Sequence, residues 1–146
     1  MNTGIIKAVI MIIFSSLFIL NSCYEDSFNK QYKKEAVARR APSIVSTSPC
    51  DGDVDVNINS PVTVKFDVEL DPGSVNSMTF IIKDNTNTIV DGNISVSGDT
   101  ITFTRVNPFR VLRQYTVTVT KSITNFNGIP VSSEASITFT AGHCFD

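Results

Sequence analysis

Residues 42–146 predict an all-β fold, an antiparallel β-sandwich of about seven strands. Three observations carry that prediction. Apolar and polar residues alternate with period two in five separate runs; clusters of Gly, Pro, Asp and Asn separate the runs at short intervals; and no stretch shows a convincing helical period. Short strands with one apolar face suit a sheet that packs one side on a core and wets the other.

Taken in order, Pro42 to Pro49 reads as an extended first strand, followed by a Gly/Asp loop to Val56. The clearest run is Val62 to Leu70, where Val62, Val64, Phe66, Val68 and Leu70 alternate with Thr63, Lys65, Asp67 and Glu69. Asp71-Pro72-Gly73 turns the chain, and Met78, Phe80 and Ile82 then alternate with Thr79 and Lys83. Turn clusters follow at Asp84 to Asn87, Asp91-Gly92-Asn93 and Ser97-Gly98-Asp99. Ile101 and Phe103 alternate with Thr100, Thr102 and Thr104; Tyr115, Val117 and Val119 alternate with Gln114, Thr116, Thr118 and Thr120. After the turn Asn127-Gly128-Ile129-Pro130, Ile137 and Phe139 alternate with Ser136, Thr138 and Thr140.

The whole chain has 146 residues with 12 Lys+Arg against 14 Asp+Glu, a net charge of -2. That balance offers no electrostatic footprint for a phosphate backbone, so nucleic acid is not an expected partner. At 42% hydrophobic and 18% charged, the chain is too apolar to be disordered throughout. Its length allows one domain with an appendage.

The appendage sets an expected address. Lys7 is followed by the low-charge stretch Ala8 to Leu20, interrupted by Ser15 and Ser16 and shorter than the ~20 residues of a membrane-spanning helix. This layout is that of a cleaved export signal over residues 1–22. Leu20-Asn21-Ser22-Cys23 resembles the lipobox of bacterial lipoproteins, departing from its commonest form at Asn21. The resemblance implies cleavage before Cys23 and acylation of that cysteine, which makes membrane lipid a partner. Glu25 and Asp26 resemble an acidic signal for the outer face of the outer membrane; a polar start to a tether is the alternative. Residues 23–41 read as that tether, a basic segment without Gly or Pro. Tyr24, Phe28 and Tyr32 fall on one helical stripe there, but a disordered spacer is the preferred reading.

The succession Pro42 to Pro49, Val62 to Leu70, Asp71-Pro72-Gly73-Ser74-Val75, Ile101 to Thr104, Tyr115 to Val119 and Ile137 to Thr140 resembles the bacterial Ig-like domains of S-layer proteins and surface lipoproteins. That family usually has Pro where Arg105 stands and Pro-Gly where Val111-Leu112 stands. The resemblance implies an Ig-like sandwich over 42–146 that serves as a structural, adhesive or protein-interaction module, with no catalytic residues and no cofactor. Tyr115 is expected to play the corner tyrosine that bonds back to nearby backbone. In such sandwiches the first and last strands commonly run side by side, which implies a Cys50–Cys144 disulfide in an exported protein.

Other chemistry is weakly supported. Asp51, Asp53 and Asp55 alternate as in the first half of an EF-hand loop, but Val56 and Val62 stand where Gly and Glu are required, leaving only a loose calcium candidate. Copper-binding periplasmic sandwiches have a related fold, yet after Cys23 the only soft or imidazole ligands besides thiols are Met78 and His143. The lone His143 leaves no Ser/His/Asp or Cys/His device, so no enzyme is expected. The segment from Arg105 to Arg113 breaks the local pattern. Arg105, Phe109, Arg110, Leu112 and Arg113 form a candidate interaction loop for a protein or anionic glycan in a domain with six basic and eleven acidic residues. The alternative is that Phe109 and Leu112 cap the core while the arginines pair with carboxylates. The expected role is a lipid-anchored outer-membrane protein; a ligand-binding lipoprotein and a subunit of a larger envelope assembly remain as alternatives.

Overall fold

The computed structural model describes residues 29–37 and 39–142. The signal segment, Cys23, Glu25, Asp26, Tyr24, Phe28, His143 and Cys144 therefore lie outside the described residues. The chain divides into two compact units between Val37 and Ala38. In the first, residues 29–37 are an exposed helix, which corrects the expectation of a disordered spacer. The stretch holds straight-chain Lys, Gln and Glu residues with Ala36 and no Gly or Pro, a composition that helps a single helix to form.

The second unit has eight strands: β1 (Ile44–Ser48), β2 (Asp53–Val56), β3 (Val62–Phe66), β4 (Phe80–Asp84), β5 (Gly92–Ser97), β6 (Thr100–Arg105), β7 (Gln114–Val119) and β8 (Ala135–Ala141). They form two four-stranded sheets ordered β1-β3-β6-β5 and β2-β8-β7-β4. All pairings are antiparallel except β2 with β8, which is parallel. The expected first strand is β1, and the loop expected to follow it to Val56 holds a further strand, β2, in the other sheet. β1 pairs with β3, the chain crosses at Pro49 to Gly52, and β2 then joins β8. The Gly/Asp loop gave no sign of β2, because its strand geometry comes from the β8 ladder and not from local propensity.

Alternation builds the core. Val62, Val64 and Phe66 of β3 with Ile101 and Phe103 of β6 form one inner face; Phe80, Ile82, Tyr115, Val117, Val119, Ile137 and Phe139 form the other, all buried. Each such side chain contributes about 1.5–3 kcal/mol on burial. The inward alternation continues through Val68 and Leu70 although the strand ends at Phe66, because Leu70 donates its N–H to the Gly98 carbonyl at 3.0 Å. Met78 departs from expectation: it is exposed while Thr79 is buried. A turn causes the slip, with the Asn76 N–H donating to Thr79 Oγ1 and the Thr79 hydroxyl donating to the Ser74 carbonyl.

The strand directions give the sandwich two poles. At one, the incoming segment is fastened by loops from both sheets. Asp67 Oδ1 accepts from the Ser43 N–H at 2.7 Å, the Ser132 N–H donates to the Pro42 carbonyl at 3.0 Å, and the buried Asn125 amide donates to the Arg40 carbonyl at 3.0 Å. At the opposite pole lie the β2–β3, β4–β5 and β6–β7 connections together with Gly142.

Candidate functional site

The opposite pole carries the arginine-rich segment, which is the β6–β7 connection. Its backbone is pinned along its length. Phe109 N–H donates to the Ile58 carbonyl at 3.1 Å, and Leu112 N–H donates to the Ala141 carbonyl at 2.7 Å. Arg110 N–H donates to the Tyr115 hydroxyl at 2.7 Å, the backbone bond expected of a corner tyrosine. Phe109 turns inward and is buried. Its ring lies 4.5 Å from Tyr115 and edge-on to Phe139 at 5.2 Å, an arrangement that favours aromatic pairs.

The five loop residues therefore divide by task. Arg105 spans to the β2–β3 connection, donating to the Ser60 carbonyl at 2.7 Å and to Asn59 Oδ1 at 3.2 Å, with its guanidinium 4.8 Å above the Phe109 ring. Burial lowers its pKa, yet a guanidinium stays charged. Arg113 pairs with Asp84 of β4. Phe109 caps the core. Leu112 does not, being 71% exposed, and Arg110 is exposed with no side-chain partner among the described residues. The structure thus consumes three of the five in holding the loop and leaves Arg110 and Leu112 on show.

Sequence reading missed Asp84, which organises the β4–β5 connection. Its Oδ1 accepts from the Thr86 hydroxyl at 2.6 Å, the Thr86 N–H at 2.9 Å and the Thr88 N–H at 3.0 Å, while Oδ2 takes Arg113. The Thr86 hydroxyl, then the Thr88 N–H and Arg113, hold this carboxyl well below the usual carboxylate range against the opposing effect of desolvation. The signal available was the Asp-x-Thr-x-Thr spacing after a strand, typical of an Asx-type turn. Between this turn and the β6–β7 connection lies an open groove of about 280 Å³. Phe109, Tyr115 and Ile89 give it apolar surface, and Asp91, Asn107 and Arg110 stand among its polar lining.

The other candidates are not assembled into sites. Asp51 Oδ1 accepts from the Thr138 N–H at 2.8 Å and hydroxyl at 3.1 Å, which lowers its pKa; Asp53 Oδ2 accepts from the Cys50 N–H at 2.7 Å. Asp55 sits at φ 55, so the regular alternation that would align three carboxylates is broken. These carboxylates tie down the crossover into β2, and among the described residues no three His, Cys, Asp or Glu side chains converge on a metal position.

The expected Cys50–Cys144 bridge is not seen: Cys50 is a free, exposed thiol whose Sγ lies 3.5 Å from the Thr47 carbonyl, and Cys144 lies outside the described residues. Cys50 follows β1, whereas the strand running beside β8 is β2. Gly52 is level with Thr138, bonding to its carbonyl at 2.7 Å, and Gly142 is level with Val56. Among the described residues no helix is long and apolar enough to cross a membrane.

The chain matches the family described as "Bacterial Ig-like domain" over residues 38–141. No curated protein matches it in sequence. Solved structures similar to it include CopC from Methylosinus trichosporium OB3b, with 18% identity and TM-score 0.58 over 72% of this chain and 97% of that one. The N-terminal part of the bacterial S-layer protein SbsC has 20% identity and TM-score 0.54 over 72% of this chain and 24% of that one. The LD transpeptidase LdtMt1, solved in complex with imipenem, has 18% identity and TM-score 0.51 over 70% of this chain and 41% of that one. The likeness to all three is one of fold.

Proposed function

The chain belongs to the bacterial Ig-like domain family, and on that premise we propose that it is a non-enzymatic cell-envelope lipoprotein whose sandwich serves as an interaction module. In this reading Cys23 carries the acyl chains in the outer membrane, residues 24–41 form the link, and the domain faces outward from the cell surface. The observation that supports it most is the polarity of the domain. The link enters at the pole clamped by Asp67, Asn125 and Ser132, and the groove with Arg110 and Leu112 lies at the other. A domain tethered at its entry therefore presents the loop away from the membrane, where a partner can reach it.

The absence of a catalytic device in the sequence agrees with this role. So does the use of Arg105, Arg113, Asp84 and Asp51 as structural fasteners, since each is committed to a fixed hydrogen-bond network. Metabolic labelling with an alkyne-tagged palmitate tests the anchor. The wild-type chain is expected to take up label and Cys23→Ala to lose it; label retained by Cys23→Ala, or absent from both, would refute the lipoprotein reading.

A further inference from the structure

Phe126 breaks the pattern that the other aromatic residues of the domain follow. Phe66, Phe80, Phe103, Phe109, Tyr115 and Phe139 are each at most 4% exposed, whereas Phe126 is 66% exposed. It stands second in the turn Asn125 to Gly128, closed by the Gly128 N–H on the Asn125 carbonyl at 2.9 Å, a place that polar residues fill as readily. The turn is held from beneath by buried Asn125, whose Oδ1 accepts from the Asn127 N–H at 2.9 Å and the Ile129 N–H at 3.0 Å. Met78 repeats the arrangement: its N–H donates to Asn76 Oδ1 at 2.8 Å and its side chain is 82% exposed. The segments that carry the two turns are fastened together, the Thr120 N–H donating to the Thr79 carbonyl at 3.0 Å and the Thr124 N–H to Ser74 Oγ at 3.0 Å.

These tips lie at the pole where the link enters. The Asn125 amide also donates to the Arg40 carbonyl at 3.0 Å, so one buried side chain fixes both the Phe126 turn and the point at which the incoming chain joins the domain. Residues 24–40 connect that point to Cys23. Helical residues 29–37 span about 13 Å and the others extend at most about 3.5 Å each, which keeps the pole within about 40 Å of an anchor at Cys23. Charge on this pole is mixed, with Arg39, Arg40 and Lys121 set against Glu69, Asp71 and Glu134, so an ionic partner has no field of one sign to meet.

Resting on the reading of the chain as a lipoprotein anchored at Cys23, we propose that this pole docks on the bilayer to which the chain is tethered, with Phe126 and Met78 entering the boundary between headgroups and acyl chains. Apolar side chains gain by burial at that depth, and the Asn125 and Asn76 side chains already satisfy backbone N–H groups of both turns, which lowers the cost of leaving water. Two side chains alone make a weak contact; the anchor supplies the local concentration that makes it effective. The contact fixes the orientation of the domain and holds Arg110 and Leu112 outward.

The chain contains no Trp, so a single introduced indole reports on one place. Full-length Phe126→Trp, purified from membranes of expressing cells, is reconstituted in phosphatidylcholine vesicles whose acyl chains carry bromine near the headgroup, with Ile89→Trp on the opposite pole as control. Trp emission at position 126 is expected to be blue-shifted and to lose most of its intensity to bromine, at low and high salt alike, while emission at position 89 stays solvent-like and unquenched. With the natural Phe126 in place, spin-labelled lipid is expected to broaden the amide signals of Phe126 to Gly128 and to spare Leu112. Emission at position 126 that ignores bromine would overturn the proposal, a blue shift without quenching meaning that protein covers the residue instead; so would equal broadening at both poles. A chain that floats with the vesicles yet shows no quenching leaves the anchor standing, whereas a chain that stays in the aqueous phase refutes the anchor and this contact together.

Discussion

Replacing Tyr115 by Phe isolates the hydrogen bond that holds the β6–β7 connection in place. The ring is buried between Phe109 and Phe139 and stays there in the variant, so its aromatic contacts and apolar burial are kept. Only the hydroxyl is lost, and with it the acceptor 2.7 Å from the Arg110 N–H. A backbone donor left without a partner in a partly buried position costs about 1–2 kcal/mol. For a domain of this size each kcal/mol moves the melting temperature by roughly 4–8 °C, so a fall of about 5–15 °C is expected in a circular-dichroism melt. Urea titration should give a lower midpoint with an unchanged slope, since the surface exposed on unfolding is the same. Arg110→Ala provides the control: the hydroxyl bonds the backbone of Arg110 and not its side chain, so that variant should melt with the wild type. A Tyr115→Phe midpoint within a degree of wild type, or an equal fall in Arg110→Ala, would refute the assignment of the corner.

Three further outcomes follow from the packing and the charges. Gly92→Ala would place a Cβ 2.3 Å from the Phe103 ring and 2.8 Å from the Thr104 carbonyl; denaturant titration should show a loss of about 1–3 kcal/mol, typical of overpacking. Cys50→Ser should leave stability within about 0.5 kcal/mol of wild type, and Ellman titration without reductant should count one thiol fewer than wild type, whereas a bridge closing so long a loop would make the same change cost about 4–5 kcal/mol. The carboxyls of Asp84 and Asp51 have folded pKa values below their unfolded ones. Their contribution to stability is complete above the unfolded carboxylate pKa of about 3.9 and is lost as pH falls below it. Melts between pH 6 and pH 2 should therefore show a steep acid decline that is shallower in Asp84→Asn; an equal slope in both would count against the network around that residue.

The sandwich was legible because alternation needs only a chain with one wet and one dry face, and Val62 to Leu70, Ile101 to Phe103 and Tyr115 to Val119 carry it without interruption. Two strands were not legible for reasons of context. β5 retains only Ile94 and Val96 between two turn clusters, and its extended form is imposed by the hairpin with β6. β2 has Asp at alternate positions and borrows its geometry from β8. The disulfide expectation placed the first strand beside the last; the strand beside β8 is β2 instead, because the crossover between β1 and β2 is set by tertiary pairing, which periodicity does not encode. The loop from Arg105 to Arg113 was recognisable as unusual from composition alone. How its residues divide, with Arg105 on Ser60 and Asn59, Arg113 on Asp84, and Arg110 and Leu112 left exposed, depends on partners 29 to 46 positions distant in sequence.

The claim that this domain stands on the outside of the cell with its loop pole outward is tested most directly by protease treatment of intact cells expressing the full chain, compared with the same treatment after lysis. The account predicts digestion of the domain in intact cells while a periplasmic control protein is spared. Protection of the domain until the cells are lysed would contradict it.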